Sequence, residues 1–277
     1  MRKVEEARLS PSIPSSALTT HALTLSLSLS LFQGLPLGSG LGSSAASAAA
    51  AAMAVNALFG SPLSKAQLVH AGLAAEAAVS GFHADNVAPA LMGGFVLVRS
   101  TEPLDVRGLT YGGAAGCVSG DGAATPAPAA PAPLWFALVN PVFEAPTAAM
   151  RAALPPMVPF KDAVSNAGAG GALIAGILAG DPALVGLALG SDALVEPVRG
   201  PLIPGFAAVK AAAGKAGAYG CTISGAGPTC VAVVPDEATG RAVCAAMSAA
   251  FVEAGGLQVN SARVAALDPV GARVVVV

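Results

Sequence analysis

The clearest periodic pattern in the chain is the alternation of apolar residues with Ser and Thr at residues 22–32. A period of two predicts a half-buried β-strand. An alanine-rich run at 45–59 follows a Gly/Ser/Pro turn and predicts a helix, because alanine has the highest helix propensity. Ser64 is placed to cap a second helix that extends to about residue 79. A loop is predicted at 81–89, and a strand at 93–100.

The second half of the chain alternates short apolar runs with longer segments of helical character. Strands are predicted at 134–139, 221–224, 229–234, 262–267 and 272–277. Helices are predicted at 146–154, 161–179, 182–189, 206–216 and from 237 to about 254, the last capped by Asp236. Between the halves, residues 112–133 form a Gly/Ala/Pro-rich stretch typical of a surface excursion.

Mixed strands and helices without a βα repeat indicate an α+β fold. Residues 134–277 contain enough elements for a two-layer domain. Residues 22–133 contain too few strands for a finished sheet. Residues 1–21 are polar and irregular, which predicts a divergent or disordered tail. Either a segment is missing from this first domain, or residues 1–21 add structure that their composition does not indicate.

Composition excludes two broad classes of function. The 14 Lys and Arg against 16 Asp and Glu give a net charge of −2, which argues against binding nucleic acid through a basic field. Mean hydropathy is high at +0.69, but alanine supplies much of it, and no run of about 20 strongly apolar residues stands out. We therefore expect no membrane span. The 4 cysteines have no C-x-x-C spacing, which favours reduced, buried thiols.

A glycine-rich loop joins the predicted strand at 22–32 to the helix at 45–59. Glycines at alternate positions let a ligand approach backbone N–H groups, and the following helix start favours an anion, so the loop predicts a phosphate site. A Walker A loop would need a Lys, and a dinucleotide fingerprint would need an acidic residue about 20 positions later. Neither is present. The predicted ATP-binding residues are Pro36, Leu37, Gly38, Ser39, Gly40, Leu41, Gly42, Ser43, Ser44, Ala45 and Ala46, with Gly225, Ala226 and Gly227 from a second glycine turn.

These two glycine segments resemble motifs of the GHMP kinases. Residues 36–46 are similar to the second motif of that family, and residues 223–229 to its third. Within the family, residues 83–90, 143–155 and 196–205 resemble the homoserine kinases, especially those of plant type. The resemblance extends from about residue 25 to residue 274.

The resemblance implies the GHMP kinase fold: an N-terminal two-layer, ribosomal-protein-like domain at 22–133 and a C-terminal ferredoxin-like α/β domain at 134–277. Residues 1–22 contain no match to the first motif of the family. We therefore expect the first domain to be incomplete in this chain. The same expectation predicts low solubility and low activity, because the Asp of the first motif that binds the substrate ammonium group in the family is not found.

The resemblance also assigns roles to individual residues. It implies Mg²⁺ held by Ser44 and Glu76, although Glu76 taken alone could equally be a surface residue. Asn86 is expected to hold the acceptor hydroxyl in line with the γ-phosphate, without a dedicated carboxylate base, and His83 to shape the substrate pocket. A catalytic His83–Asp85 pair is therefore not predicted.

The homoserine kinases imply a zwitterionic amino-acid substrate. Arg suits its carboxylate because the guanidinium binds in a planar, bidentate manner. The resemblance places Arg151 and Arg199 at this carboxylate. For the turn at 225–227, a plain hairpin remains open beside a role at the nucleotide.

The implied function is ATP-dependent phosphorylation of L-homoserine in threonine biosynthesis. Two alternatives remain open: an inactive chain that binds nucleotide weakly or only self-associates, and a GHMP kinase for another small alcohol. The expected partners are L-homoserine and ATP, with no nucleic acid and no membrane, and with a homodimer left open. A soluble protein is expected, in the plastid stroma if the source is a plant or alga and otherwise in the cytoplasm.

Overall fold

The computed structural model describes residues 7–8, 30–31, 34–113 and 132–275. Strands occupy β1 (Ala7–Arg8), β2 (Ser30–Leu31), β3 (Phe95–Thr101), β4 (Leu104–Leu109), β5 (Trp135–Pro141), β6 (Gly220–Ile223), β7 (Cys230–Val234) and β8 (Val259–Ala266). Helices occupy α1 (Ser43–Leu58), α2 (Lys65–Ala77), α3 (Ala84–Met92), α4 (Thr147–Ala152), α5 (Phe160–Ala179), α6 (Pro182–Leu189), α7 (Glu196–Arg199), α8 (Phe206–Lys215) and α9 (Glu237–Glu253), with a 3₁₀ turn at Gly200–Leu202.

The first three helices pack together and against the β3–β4 hairpin. Helix α2 begins with a capping box, in which the Ser64 side chain accepts from the Gln67 backbone and the Gln67 side chain accepts from the Ser64 backbone. Leu73 and Leu91 are almost fully buried between the helices. The predicted helices at 45–59 and from Ser64 onward are confirmed, with small shifts at their ends.

The predicted loop at 81–89 is wrong, because Ala84–Met92 forms helix α3 with Pro89 inside it. An interior proline costs roughly 3 kcal/mol, which opposes helix formation here. However, Val87 and Leu91 are fully buried, and each such burial contributes about 1.5–3 kcal/mol. Burial of these side chains therefore outweighs the proline.

Two further segments, the hairpin after α3 and residues 272–275, were predicted only in part or wrongly. The strand at 93–100 is confirmed as β3, but its hairpin partner β4 was not predicted. The strand predicted at 272–277 is wrong for the described residues 272–275, which are irregular. Instead, the Ala272 N–H donates to the carbonyls of Ala90 and Leu91, so residue 272 packs on α3.

The second half is built on a four-stranded antiparallel sheet in the order β6–β7–β5–β8. Alternate residues face opposite sides: Ala137 and Val139 pack under α8 and α9, while Phe136 packs towards α5 and α6. This arrangement confirms the predicted strands at 134–139, 221–224, 229–234 and 262–267 and the longer helices. The short helix α7 was not predicted.

Part of the predicted N-terminal tail takes part in a strand pair. Ala7–Arg8 pairs antiparallel with Ser30–Leu31, which lies within the strand predicted at 22–32. The rest of the tail, the remainder of that strand and Cys117 lie outside the described residues, as does most of the stretch at 112–133. Cys221, Cys230 and Cys244 are buried and free, as expected, and burial raises the pKa of the Cys221 thiol to about 12.

Helix α5 is long and apolar enough to cross a membrane if only its length and composition are considered. It begins beside Lys161 and Asp162. Near its end, Ile177 is buried against the α6 residue Val185 and the sheet residue Val233. The C-terminal part of α5 therefore packs against α6 and the sheet on one side, while most residues of the helix are exposed or half-buried.

Candidate active site

The glycine loop at 38–42 has a backbone that only glycine adopts readily. Gly38, Gly40 and Gly42 have φ values of 63°, 78° and 69°. Gly42 is the residue that precedes α1, and it has no side chain to cap the first turn. Alternating left-handed residues ahead of a helix start aim N–H groups into one concavity, which suits phosphate oxygens.

The loop lies directly against the second glycine turn. The Ser224 hydroxyl donates to the Gly40 carbonyl at 2.9 Å, and the Thr229 N–H donates to the Ser39 carbonyl at 3.1 Å. A Cβ at Gly40 would lie only 2.2 Å from the Ser224 carbonyl oxygen. The turn at 225–227 is therefore more than a plain hairpin, because its backbone forms one wall of the loop.

A cavity of about 250 Å³ opens beside the outer part of the loop. Its lining includes Leu37, Gly38, Asn140, Phe143 and Glu144. A larger cavity of about 470 Å³ lies between the β3–β4 hairpin and the second sheet, and none of the predicted site residues lines it. The smaller cavity is the one that adjoins the predicted phosphate site.

A buried carboxylate lies behind the loop. Glu76 is 2% exposed, and its Oε1 accepts from the hydroxyls of Ser44 at 2.8 Å and Ser80 at 2.6 Å. His83 Nδ1 lies 3.1 Å from the same oxygen. Burial alone would raise the pKa of Glu76, but these hydrogen bonds outweigh it and hold the pKa below its ordinary value. The surface alternative for Glu76 is thereby excluded.

His83 is the third side chain that contacts this carboxylate. Because an ionised Glu76 only accepts hydrogen bonds, the contact requires a proton on His83 Nδ1. Among the described residues, His83 Nε2 is the buried side-chain polar atom without a hydrogen-bond partner. Asp85 is exposed in the first turn of α3.

Two further predicted residues border the same space. A Cβ at Gly42 would lie 3.4 Å from Asn86 Oδ1, so the amide of Asn86 is adjacent to the glycine loop. A Cβ at Gly81 would lie 3.2 Å from His83 Nε2 and 4.0 Å from Arg151 Nη1. The bare backbone of Gly81 therefore leaves room for the imidazole and the guanidinium side by side.

Arg199 contacts both helix α4 and the second glycine turn. Its Nε donates to the Met150 carbonyl at 2.9 Å, next to Arg151 on α4, and its Nη1 donates to the Gly225 carbonyl at 3.3 Å. Burial and then the nearby positive charge of Arg151 lower the pKa of Arg199, while Asp192 opposes them. The Arg199 guanidinium thus lies beside the glycine turn, within range of the positive charge of Arg151.

The structure brings the predicted site residues into one region, although the region is drawn from both halves of the chain. Leu37 is 80% exposed at its rim, whereas the Ala45 side chain is buried in the helical core and only its backbone can face a ligand. Ser80 was not predicted from the sequence, and Ser224 was included in the motif at 223–229 but not among the predicted site residues. The one available signal for Ser80 was its position four residues after Glu76.

Two family models match the chain: "GHMP kinases N terminal domain" at residues 15–94 and "GHMP kinases C terminal" at residues 173–253. Among curated proteins, the homoserine kinase of Arabidopsis thaliana is 54% identical over 223 residues, covering 80% of this chain and 55% of that protein. The homoserine kinase of Chlorobaculum tepidum is 43% identical over 224 residues, covering 80% and 63% respectively.

A solved structure of a homoserine kinase is also similar to this chain. The crystal structure of homoserine kinase from Cytophaga hutchinsonii superposes with a TM-score of 0.75 at 37% identity, covering 87% of this chain and 70% of that one. The chain spans 55% and 63% of the two curated relatives named above.

Proposed function

The chain belongs to the GHMP kinase family and has its fold, and on that premise we propose that it is a homoserine kinase. The proposed reaction transfers the γ-phosphoryl group of ATP to the side-chain hydroxyl of L-homoserine and yields O-phospho-L-homoserine and ADP. The observation that carries the proposal is the proximity of Asn86 to Gly42, because it puts an acceptor-binding amide next to a phosphate loop. The identity to homoserine kinases supports the choice of acceptor.

The loop at 38–42 would hold the triphosphate through its N–H groups and the start of α1. The outer cavity beside Leu37 and Phe143 leaves space for the rest of the nucleotide. The wall formed by Ser224 and Gly225 keeps the loop in this shape.

Ser44 and Glu76 fit the requirements of a Mg²⁺ ion. Mg²⁺ prefers oxygen ligands and keeps several waters, and the Ser44 hydroxyl and Glu76 carboxylate lie 2.8 Å apart behind the loop. Across the described residues, no group of three or more His, Cys, Asp or Glu side chains could hold a metal without other ligands. The remaining ligands would therefore come from the nucleotide and water. When bound, the ion would neutralise charge on the β- and γ-phosphates.

The chain's own residues would supply positioning rather than a strong base. Asn86 would hold the acceptor hydroxyl, and the pair Arg151 and Arg199 would bind the carboxylate of the amino acid. His83, held by Glu76, would help to shape the substrate pocket beside Arg151. Phosphoryl transfer gains most of its rate from orientation and charge neutralisation, so the proposed reaction needs no dedicated carboxylate base.

The experiment that tests the function is an ADP-release assay with L-homoserine, L-serine, mevalonate and galactose as acceptors, with the product identified by ³¹P NMR. We expect activity with L-homoserine. Asn86→Ala should lower kcat by roughly 100-fold, the usual cost of a misplaced reactant. The neighbouring, exposed Asp85→Ala serves as the matched control and should retain activity. Phosphorylation of another alcohol but not of homoserine would refute the assignment.

The Mg²⁺ ion, a homodimer and, in a plant or alga, a plastid location stay predictions. So does the division of the chain into domains at 22–133 and 134–277.

A further inference from the structure

Arg199 is carried by a helix too short to hold its own position. Helix α7 contains four residues, Glu196–Arg199. A single helical turn is unstable by itself, because nucleation fixes several residues for one hydrogen bond. The direction in which Arg199 points must therefore be set by contacts between α7 and the rest of the protein.

The start of α7 is held by Asp192. Its carboxylate accepts from the backbone N–H groups of Leu194, Val195 and Glu196 at 2.7–3.1 Å. Burial would raise the pKa of Asp192, but these backbone donors outweigh it and lower the pKa. This contact fixes where the helix begins.

The Glu196 side chain provides a second attachment of α7 to the rest of the protein. Its Oε1 forms an ion pair with the Lys210 ammonium group of α8, and its Oε2 accepts from the Thr222 hydroxyl of β6 at 3.0 Å. Lys210 also donates to the Gly190 carbonyl at 2.9 Å. The Glu196 side chain is only 12% exposed, so solvent screens this pair less than it screens a surface pair.

Glu196 and Arg199 are three residues apart and therefore lie on neighbouring positions of the helix surface. From one end of this turn, Glu196 is attached to α8 and β6. From the other end, Arg199 donates hydrogen bonds to the carbonyls of Met150 on α4 and Gly225 in the glycine turn, both of which border the proposed substrate site. A change in the orientation of α7 would move the guanidinium relative to both walls.

We propose that Glu196 is a positioning residue for Arg199. Its carboxylate, held by Lys210 and Thr222, fixes the short helix so that the guanidinium meets the carboxylate of an α-amino-acid acceptor. The consequence for the acceptor rests on the proposed function, whereas the control of Arg199 by Glu196 does not.

The variants that test this inference are made in the full chain. Glu196→Gln keeps the size of the side chain and removes its charge. Lys210→Met breaks the pair, and Lys210→Arg retains it. The matched control is Glu237→Gln, which removes an exposed ion pair with Arg241 on α9, where side-chain exposures are 50% and 67%.

The first measurement is independent of activity. The Nε–H of Arg199, which donates to the Met150 carbonyl, is followed by ¹H–¹⁵N NMR and assigned by its absence in Arg199→Lys. Its solvent exchange should accelerate by about tenfold or more in Glu196→Gln and Lys210→Met, because a hydrogen bond that opens more often is less protected. Exchange should be unchanged in Lys210→Arg and Glu237→Gln.

The second measurement separates positioning from general stability. We expect the KM for homoserine to rise on the order of tenfold in Glu196→Gln, the loss typical for a residue that orients a ligand-binding group. The KM for ATP should remain nearly constant. A purely structural role would lower the thermal midpoint without this split.

Unchanged exchange of the Arg199 Nε–H in Glu196→Gln would overturn the inference, as would faster exchange in an active enzyme whose homoserine KM is unaltered. If Glu196→Gln fails to fold, Lys210→Met and Thr222→Val are judged by the same criteria. A wild-type chain that does not phosphorylate homoserine would refute the proposed function, and the NMR comparison would still decide whether Glu196 controls Arg199.

Discussion

The contact between the two glycine segments predicts a sharp difference between two substitutions in the same loop. Gly38 and Gly40 both have positive φ, so alanine at either position meets the strain of the left-handed region. A Cβ at Gly38 meets no atom within 4 Å. A Cβ at Gly40 would lie 2.2 Å from the Ser224 carbonyl oxygen and 2.8 Å from that of Gly227, both in the backbone.

The magnitude follows from these contacts. Gly38→Ala should cost about 1–2 kcal/mol, the price of a left-handed alanine. In Gly40→Ala the loop and the turn must also separate, which breaks the hydrogen bonds from Ser224 to Gly40 and from Thr229 to Ser39. Each contributes about 1 kcal/mol. We therefore expect Gly40→Ala to destabilise the protein by about 3–4 kcal/mol in all.

The assay is urea unfolding of both variants beside the wild type, followed by calorimetric titration with ATP. Gly40→Ala should unfold at lower urea than Gly38→Ala and should bind ATP more weakly. Equal unfolding free energies for the two variants would refute the reasoning, because the two substitutions differ mainly in the contact with the turn.

Three further predictions follow. Gly42→Val should abolish ATP binding, because the φ of residue 42 is +69° and the new side chain would press on Asn86. Calorimetric titration measures this, and an unchanged ATP affinity would count against the phosphate site. Arg151→Ala and Arg199→Ala should each raise the homoserine KM by the equivalent of roughly 2–3 kcal/mol while affecting the ATP KM far less, and an unaltered homoserine KM would place the carboxylate elsewhere. Asp192→Asn should destabilise the protein at neutral pH but not in acid. The pKa of Asp192 is lowered by folding, so its stabilisation is present above the unfolded pKa and is lost as the pH falls through the folded value. Urea unfolding in both conditions checks this, and a difference that persists in acid would contradict it.

The sequence alone determined the features that depend on neighbouring residues. The alanine run of α1, the Ser64 cap of α2 and the short apolar run of β5 could be recognised in the sequence, because helix propensity, capping and apolar runs are local properties. The glycine loop could be predicted as a phosphate site for the same reason, because the positive φ values that it needs are provided by glycines close together in the sequence.

Only the tertiary structure decided the features that depend on long-range packing. Helix α3 formed against the local signal of Pro89, because the burial of its apolar face comes from other helices. The burial of Glu76 and its link to His83 could not be chosen over a surface position from sequence. The ion pair between Glu196 and Lys210 could not be predicted from the sequence either. Each of these depends on which distant side chains the fold brings within hydrogen-bonding distance, and no local pattern encodes that distance.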